Sequence, residues 1–326
     1  MRLDAGAATA DGFAMAAPDI APDVAPTSSP RYAIDNARGA VWMLLSVVTA
    51  SVMTLGVRWA AVELDSRVIV ALRSIGGLGL CLIALALAPR LRRELRFSAP
   101  WLHIWRGALL GCSTQLGFYT IVNLPLATST VLFFSAGIFT ALLAIPLQGE
   151  RIGPRRGGAI IAGFAGVLIV MRPGAEALDI AMLAAIASSV LFALALLSSR
   201  GLATHDGAFN AYISSAVMTA LVSIPLAAPV WDIPDTGWVW GALGVIVLAS
   251  LVRNIADIQA YRWAEAAVMA PLSYLRLVFI AAAGYFVFDE RPDIYTLVGG
   301  GVIIGAALYI AQRERLLARP AKAQKR

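Results

Sequence analysis

The chain is a series of long apolar runs broken by short polar stretches. Ten such runs follow one another, at about 38–59, 67–88, 101–122, 125–147, 155–172, 178–199, 207–228, 237–261, 264–288 and 293–313. A helix rises 1.5 Å per residue, so about 20 apolar residues cross a hydrocarbon layer of about 30 Å. The breaks carry turn chemistry: "APRLRRELRFSAP", "NLP", "GERIGPRRGG", "RPGAEALD", "RGLATHDG", "APVWDIPDTG" and "DERPD". The pattern predicts an all-α integral membrane protein with ten transmembrane helices, here called spans 1 to 10.

Composition agrees with this. Of 326 residues, 59% are hydrophobic and 14% charged, with a mean hydropathy of +0.76, outside the usage of soluble domains. The net charge of +6 would suit nucleic acid, but the basic residues are spread through loops instead of gathered on one face, so no nucleic-acid partner is expected. Their distribution reports orientation. With the N-terminus inside, seventeen Lys and Arg fall on inner segments and four, Arg58, Arg67, Arg172 and Arg291, on outer ones. The positive-inside rule then places both termini in the cytoplasm. Residues 1–37 lack the apolar core of a signal peptide and are expected to be a disordered cytoplasmic tail, with 314–326 a second, basic one. Cys81 and Cys112 fall inside spans without metal-ligand spacing, so no disulfide, metal or cofactor is implied.

Two segments resemble each other: "LATSTVLFFSAGIFTALLAIPLQGER" (126–151) and "AAVMAPLSYLRLVFIAAAGYFVFDER" (266–291). At an offset of 140, Ala127, Leu132, Phe139, Ala141, Glu150 and Arg151 recur as Ala267, Leu272, Phe279, Ala281, Glu290 and Arg291. Each is followed by a glycine-rich run, where an offset of 142 fits better. The repeat unit holds five spans, an odd number, so the second copy enters the membrane from the opposite side. Residues 38–172 and 178–313 thus form two inverted five-helix repeats. Folds of this kind place a binding site near mid-membrane between the halves.

At this point the chain resembles a known family, the bacterial drug/metabolite transporters that carry two EamA domains. The resemblance covers about residues 38–313 and rests on "VALRSIGG", "FYTIVNLPLATSTVLFF", "GERIGPRRGGAIIAGFAGVLIV" and "PLSYLRLVFIAAAGYFVFDERPDIYTLVGGGVIIGAALYIAQRER". It implies a multi-pass carrier of the bacterial inner membrane for small organic metabolites. Its central cavity would be lined by spans 1, 3, 4, 6, 8 and 9, with spans 5 and 10 peripheral. One departure is that the family's mid-helix proline in span 4 is Val131 here, while span 9 has Pro271. A gating role for that proline kink therefore does not carry over from the resemblance to the first half.

The stretch "LVRNIADIQAYRW" (251–263) places charge in an oily run. At helical spacing, Ser250, Arg253, Asp257 and Tyr261 form one stripe, bordered by Asn254. Cys112, Gln115, Tyr119 and Asn123 repeat that spacing in span 3, and an offset of 142 lays Tyr119 on Tyr261 and Gln115 on Asp257. A charge facing lipid at mid-membrane costs about 2.5–3.5 kcal/mol, so these groups should face the interior or one another. Both a cavity role and a self-neutralising Arg253–Asp257 pair are open. Arg276, close to Tyr274 in span 9, is the deepest charge, and Arg73 in span 2 fits an interfacial or a functional role. Three arginines against one carboxylate favour an anionic or zwitterionic solute, gripped by a guanidinium fork. Asp257 is also a candidate proton carrier, although Arg253 one turn away favours its staying ionised.

Other residues receive plainer readings. Trp101, Trp105, Trp238 and Trp240 suit interfacial anchors. His103 and His205 are expected to be solvated, and Glu150 and Glu290 to hold the following helix through the neighbouring Arg. The glycines of spans 5 and 10 suit close packing, while Ser46, Thr49, Thr54, Ser188 and Ser189 fit either the cavity or their own helix carbonyls.

The leading function is a secondary transporter moving a small-molecule metabolite through the lipid bilayer by alternating access. An enzyme is not expected, since there is no HExxH, GxSxG or nucleotide loop and little acid-base chemistry within the spans. A non-transporting scaffold or receptor is the alternative, and the buried polar stripe speaks against it. Substrate, direction, coupling ion and oligomeric state, a homodimer included, stay open.

Overall fold

The computed structural model describes residues 35–323 except 89–91, 93, 94, 96, 149–152, 173–178, 199–205 and 265. Most of the expected N-terminal tail, together with Glu150, Arg151 and His205, lies outside the described residues. Ten helical spans are present: Asn36–Ala60, Ser66–Leu87, Pro100–Asn123, Leu126–Phe134 with Ala136–Gln148, Pro154–Met171, Ile180–Ser198, Gly207–Ala227, Gly237–Trp263, Ala266–Ser273 with Leu275–Phe288, and Ile294–Ala323. Among the described residues, nine helices are long and apolar enough to cross a membrane. The tenth, span 3, has 24 residues and is long enough, but carries His103, Arg106, Gln115 and Asn123. Span 10 runs on to Ala323, so the helix continues into the stretch expected to be a tail.

Local chemistry sets the helix starts. Asp35 accepts from the Arg38 amide (3.0 Å), Asp65 from that of Arg67 (2.8 Å), Asp179 from that of Ala181 (2.8 Å) and Asp293 from that of Thr296 (2.7 Å). Each carboxylate satisfies an orphan donor at the positive end of a helix. Spans 3 and 5 open instead on Pro100 and Pro154, where a missing N–H costs nothing.

Spans 4 and 9 are both broken, at Ser135 and Tyr274. Span 4 thus breaks with Val131 in the proline's place, and the halves reach the same break by different means. In span 9, Pro271 lies three residues before the break, and the Tyr274 amide turns back tightly to the Pro271 carbonyl at 3.2 Å, an i to i−3 bond in place of the helical one. In span 4 the Leu132 carbonyl accepts from Ser135 twice, through the amide (3.1 Å) and the hydroxyl (2.5 Å), and from Ser189 of span 6 (3.2 Å). Hydroxyl groups bonded back onto a helix carbonyl bend the helix as a proline does.

The inverted repeat is visible in the packing. Span 1 lies against span 8 and span 3 against span 6, while span 2 meets span 7 and span 5 meets span 10. Exchanging the two repeats maps this set of pairs onto itself. The apolar core follows suit: one cluster joins Val57, Ile69 and Phe118 to Leu243 and Ile246, and another joins Leu132, Ile138 and Val167 to Ala185 and Ile303. Each cluster draws on both repeats, so residues 34–326 form one compact unit.

Spans 5 and 10 touch backbone to backbone. A Cβ on Gly299 would stand 2.7 Å from the Gly166 carbonyl oxygen, and one on Gly166 would stand 2.9 Å from that of Gly299. Backbone cannot yield as a side chain can, so Gly299→Ala should cost about 1–3 kcal/mol through overpacking. Gly301, on the same helix with nothing within 4 Å, is the matched control. Gly301→Ala should leave the thermal midpoint in detergent unchanged or slightly higher while Gly299→Ala lowers it by several degrees; equal midpoints would refute the packing role.

Candidate functional site

Span 8 divides into two faces. Val245, Leu248, Val252, Ile255 and Ile258 are exposed and apolar, as a lipid-facing stripe should be. Ala249, Ser250, Ala256 and Ala260 are buried on the other face, where span 1 packs. Asp257 accepts a hydrogen bond from Ser46 of span 1. One turn away, Arg253 Nε stands 3.7 Å from Asp257 Oδ2, with the two side chains 31% and 35% exposed. The i,i+4 pair forms, and the same carboxylate is tied to the opposite repeat.

The other arginines also cross between repeats. Arg73 of span 2 donates through Nε to Ser250 Oγ at 2.8 Å, and that hydroxyl donates to the Ile246 carbonyl at 2.6 Å. Asn254 Nδ2 donates to the Ser250 carbonyl at 2.7 Å, staying on its own helix. Arg276 of span 9 donates through Nη2 to Thr54 Oγ1 of span 1 at 3.2 Å, while its Nε is buried without a hydrogen-bond partner. Arg253 is within electrostatic reach of both Arg73 and Arg276, and Asp257 opposes it at Arg276. Three guanidinium groups and one carboxylate thus share the seam formed by spans 1, 2, 8 and 9. Arg73 reaches this seam through Ser250.

The first repeat offers a neutral counterpart. Gln115 is buried, and neither its Oε1 nor its Nε2 has a hydrogen-bond partner. Leaving an amide buried and unsatisfied costs about 1–3 kcal/mol per group, which makes such a site unusual in a folded interior. The rest of the proposed span 3 stripe separates from it: Cys112, Tyr119 and Asn123 are exposed, and Asn123 Nδ2 bonds the Tyr119 carbonyl at 2.7 Å. The Tyr261 side chain lies outside what is described. Tyr274, at the span 9 break, stands edge-on to Phe134, at the span 4 break, with ring centroids 4.8 Å apart. The two broken helices therefore meet through aromatic rings.

Ser46 and Thr54 were ambiguous in the sequence, and the structure attaches both to charged groups of the other repeat. A signal was present: Ser46 and Ser188 differ by 142, the offset that pairs Gln115 with Asp257. Ser188, in turn, exchanges hydrogen bonds with Ser113 of span 3, hydroxyl to carbonyl in both directions (2.8 and 2.9 Å). Hydroxyl groups at one register thus join span 1 to span 8 and span 6 to span 3.

Two plainer readings are corrected. His103 is only 3% exposed, with Nε2 2.8 Å from Asp206 Oδ2 and Nδ1 2.8 Å from Ser214 Oγ. Hydrogen bonds from the Ser98 hydroxyl, then from His103, hold the Asp206 carboxyl below its ordinary range. Neither partner is adjacent to His103 in sequence, so spacing could not reveal them. Glu290 does not act through neighbouring Arg291. Its Oε1 pairs with Arg58 at 3.0 Å and its Oε2 accepts from the Leu126 amide at 2.6 Å. Glu150 lies outside the described residues.

A pocket of about 380 Å³ is lined by Gly56, Trp59, Trp238, Ala242 and Val245. It contains none of the charged side chains, and its apolar walls beside exposed Trp59 and Trp238 suit lipid tails better than a polar solute. The seam of arginines is the chemically distinctive region.

Comparison with known proteins gives a consistent family. Residues 37–172 and 179–312 each match the EamA-like transporter family. The chain is 31% identical over 286 residues to an S-adenosylmethionine uptake transporter of Rickettsia bellii, covering 85% of this chain and 94% of the relative. It is 26% identical over 280 residues to a riboflavin transporter of Rhizobium johnstonii, covering 85% and 91%. It is also 26% identical over 279 residues to a pseudopaline exporter of Pseudomonas aeruginosa, covering 85% and 97%. A crystal structure at 18% identity superposes with a TM-score of 0.59 over 85% of this chain and 98% of the other, a likeness of fold alone.

Proposed function

This chain belongs to the EamA-like transporter family, which makes it a multi-pass membrane transporter of small molecules and not an enzyme, and from that premise we propose that it carries an anionic or zwitterionic organic metabolite by alternating access. The observation that carries the reading is the seam between the repeats: Arg73, Arg253 and Arg276 against the single carboxylate of Asp257, with Arg276 Nε and the Gln115 amide buried and unpartnered. Charged and amide groups in a membrane interior pair with one another or face water or a solute, and the unpartnered Arg276 Nε and Gln115 amide favour the second. In this reading Arg276 grips a carboxylate or phosphate, Asp257 and Arg253 hold the opposite charge pattern, and Gln115 and Asn254 supply neutral hydrogen bonds. Arg73 and Tyr274 complete the wall, and Tyr119, exposed on span 3, is left out of it. The orientation is both termini in the cytoplasm of a bacterial inner membrane, on the excess of Lys and Arg on that side.

S-adenosylmethionine fits in part, since its amino-acid end offers a carboxylate to Arg276 while its sulfonium needs Asp257. The decisive experiment is metabolite profiling of cells lacking or overproducing the protein, followed by proteoliposome uptake of labelled S-adenosylmethionine, riboflavin, amino acids and the metabolites whose levels change. Saturable uptake of a carboxylate- or phosphate-bearing compound is expected. Selective transport of a plain cation would defeat the charge assignment, and failure to move any of the panel would defeat the carrier reading.

A further inference from the structure

At the end of the bundle that holds Glu290, one side-chain pair ties the two repeats and has matched surroundings on both sides. Arg58, near the C-terminus of span 1, donates through Nη1 to the carbonyls of Ile121 (2.9 Å), Val122 and Leu124 (3.4 Å), the orphan acceptors that close span 3. Through Nη2 it meets Glu290, whose other oxygen takes the Leu126 amide at the start of span 4. The cation thus sits at a helix C-terminus and the anion at a helix N-terminus, the favourable polarity in both cases. Arg58, Ile121 and Leu126 belong to the first repeat and Glu290 to the second. One carboxylate of one repeat therefore holds three spans of the other.

We propose that the Arg58–Glu290 pair is a latch that closes the two repeats at this end and parts once in each transport cycle. The proposal rests on the carrier reading above. Its location makes it reversible. The two side chains are 25% and 15% exposed, close enough to water for both charges to be hydrated when they separate, whereas a pair sealed in the core would leave bare charges behind. Other cross-repeat ties lie at this end: Arg172 with Asp293 and Thr236 with Glu63 each involve a charged group and are partly exposed, while the Thr128 and Thr296 hydroxyl groups meet at 3.1 Å in a buried, neutral contact. In the sequence, the repeat offsets carry Arg58 to Arg200 and Glu290 to Glu150, the same residue types in the opposite halves, at positions outside the described residues.

The geometry supplies its own test. A Cβ on Gly284, in span 9, would stand 3.9 Å from the Leu126 Cβ of span 4, the separation a disulfide needs. It would also stand 3.2 Å from Glu290 Oε2, so the carboxylate must shift by a few tenths of an ångström. In a background with Cys81 and Cys112 replaced by serine, Leu126→Cys with Gly284→Cys should cross-link in most molecules in nanodiscs under copper phenanthroline. Adding Arg58→Gln or Glu290→Gln should slow that cross-linking at least about threefold, with Arg58→Lys as the milder variant if either fails gel filtration. Uptake of labelled S-adenosylmethionine, riboflavin and amino acids by the cross-linked protein should stop, and return on reduction. No cross-link with the latch intact, or equal cross-linking without it, overturns the proposal. Uptake that survives cross-linking overturns the latch and leaves the carrier standing, whereas no uptake before cross-linking removes the carrier and the latch with it.

Discussion

Arg276→Leu should reduce uptake by about 100-fold or more while leaving the thermal midpoint in detergent unchanged or raised. The two effects diverge because this arginine contributes little to the fold. Its hydrogen bond to Thr54 Oγ1 is long at 3.2 Å, and its Nε is buried with no partner among the described residues. A buried charge carries a desolvation cost of several kcal/mol, so where its compensation is this weak an apolar group of similar size should be neutral or stabilising, with Asp257 still opposed by Arg253. A bound carboxylate is another matter. Each charge-assisted hydrogen bond is worth about 1.5–3 kcal/mol, so losing a two-pronged grip removes about 3–6 kcal/mol, and every 1.4 kcal/mol is tenfold. Arg276→Lys keeps the charge without the fork and should recover only part of the rate. Wild-type uptake by Arg276→Leu would remove this residue from the site, and an unfolded variant would show that it is structural.

Asp257→Asn should act on both stability and selectivity. Among the described residues the carboxylate is the only acidic group in the seam that faces Arg253, Arg276 and Ser46, so its neutralisation leaves the three guanidinium groups there unopposed. Because the Arg253–Asp257 pair is about a third exposed, water screens it and the loss should be modest, about 1–2 kcal/mol, or a few degrees in the thermal midpoint. For transport, the KM of a zwitterionic substrate should rise about tenfold, since its cationic group loses its partner, whereas the KM of a simple anion should stay level or fall. Ser46→Ala should reproduce a weaker form of the same shift by freeing the carboxylate. Equal changes for zwitterion and anion would mean that Asp257 supports the fold without reading substrate charge.

Much of this architecture was legible because it follows from local rules. Twenty apolar residues make a span wherever they occur, and five spans per repeat force the second copy to insert upside down, so the ten-helix inverted arrangement could be read before any contact was known. Pro271 announced the break in span 9, three residues on, since proline is poorly tolerated inside a helix. The break in span 4 could not be read, because it needs Ser189 from another helix beside Ser135 at the Leu132 carbonyl. The same limit explains His103 and Glu290. Their partners, Asp206 and Arg58, are 103 and 232 residues away, and no spacing rule spans that distance.

For the candidate site, the chain by itself determined which face of each helix carries charge. Burial of Arg253, Asp257 and Arg276 against lipid is too costly, and the period of 3.6 fixes which residues share a side. Only the tertiary structure decided what those faces meet: Ser46 beneath Asp257, Thr54 beside Arg276, Ser250 under Arg73, and an empty-handed amide at Gln115. The reason is geometric. A helical period specifies a direction away from one axis, whereas a partner depends on the distance and rotation between two axes, and those are set by the sum of all packing contacts across both repeats.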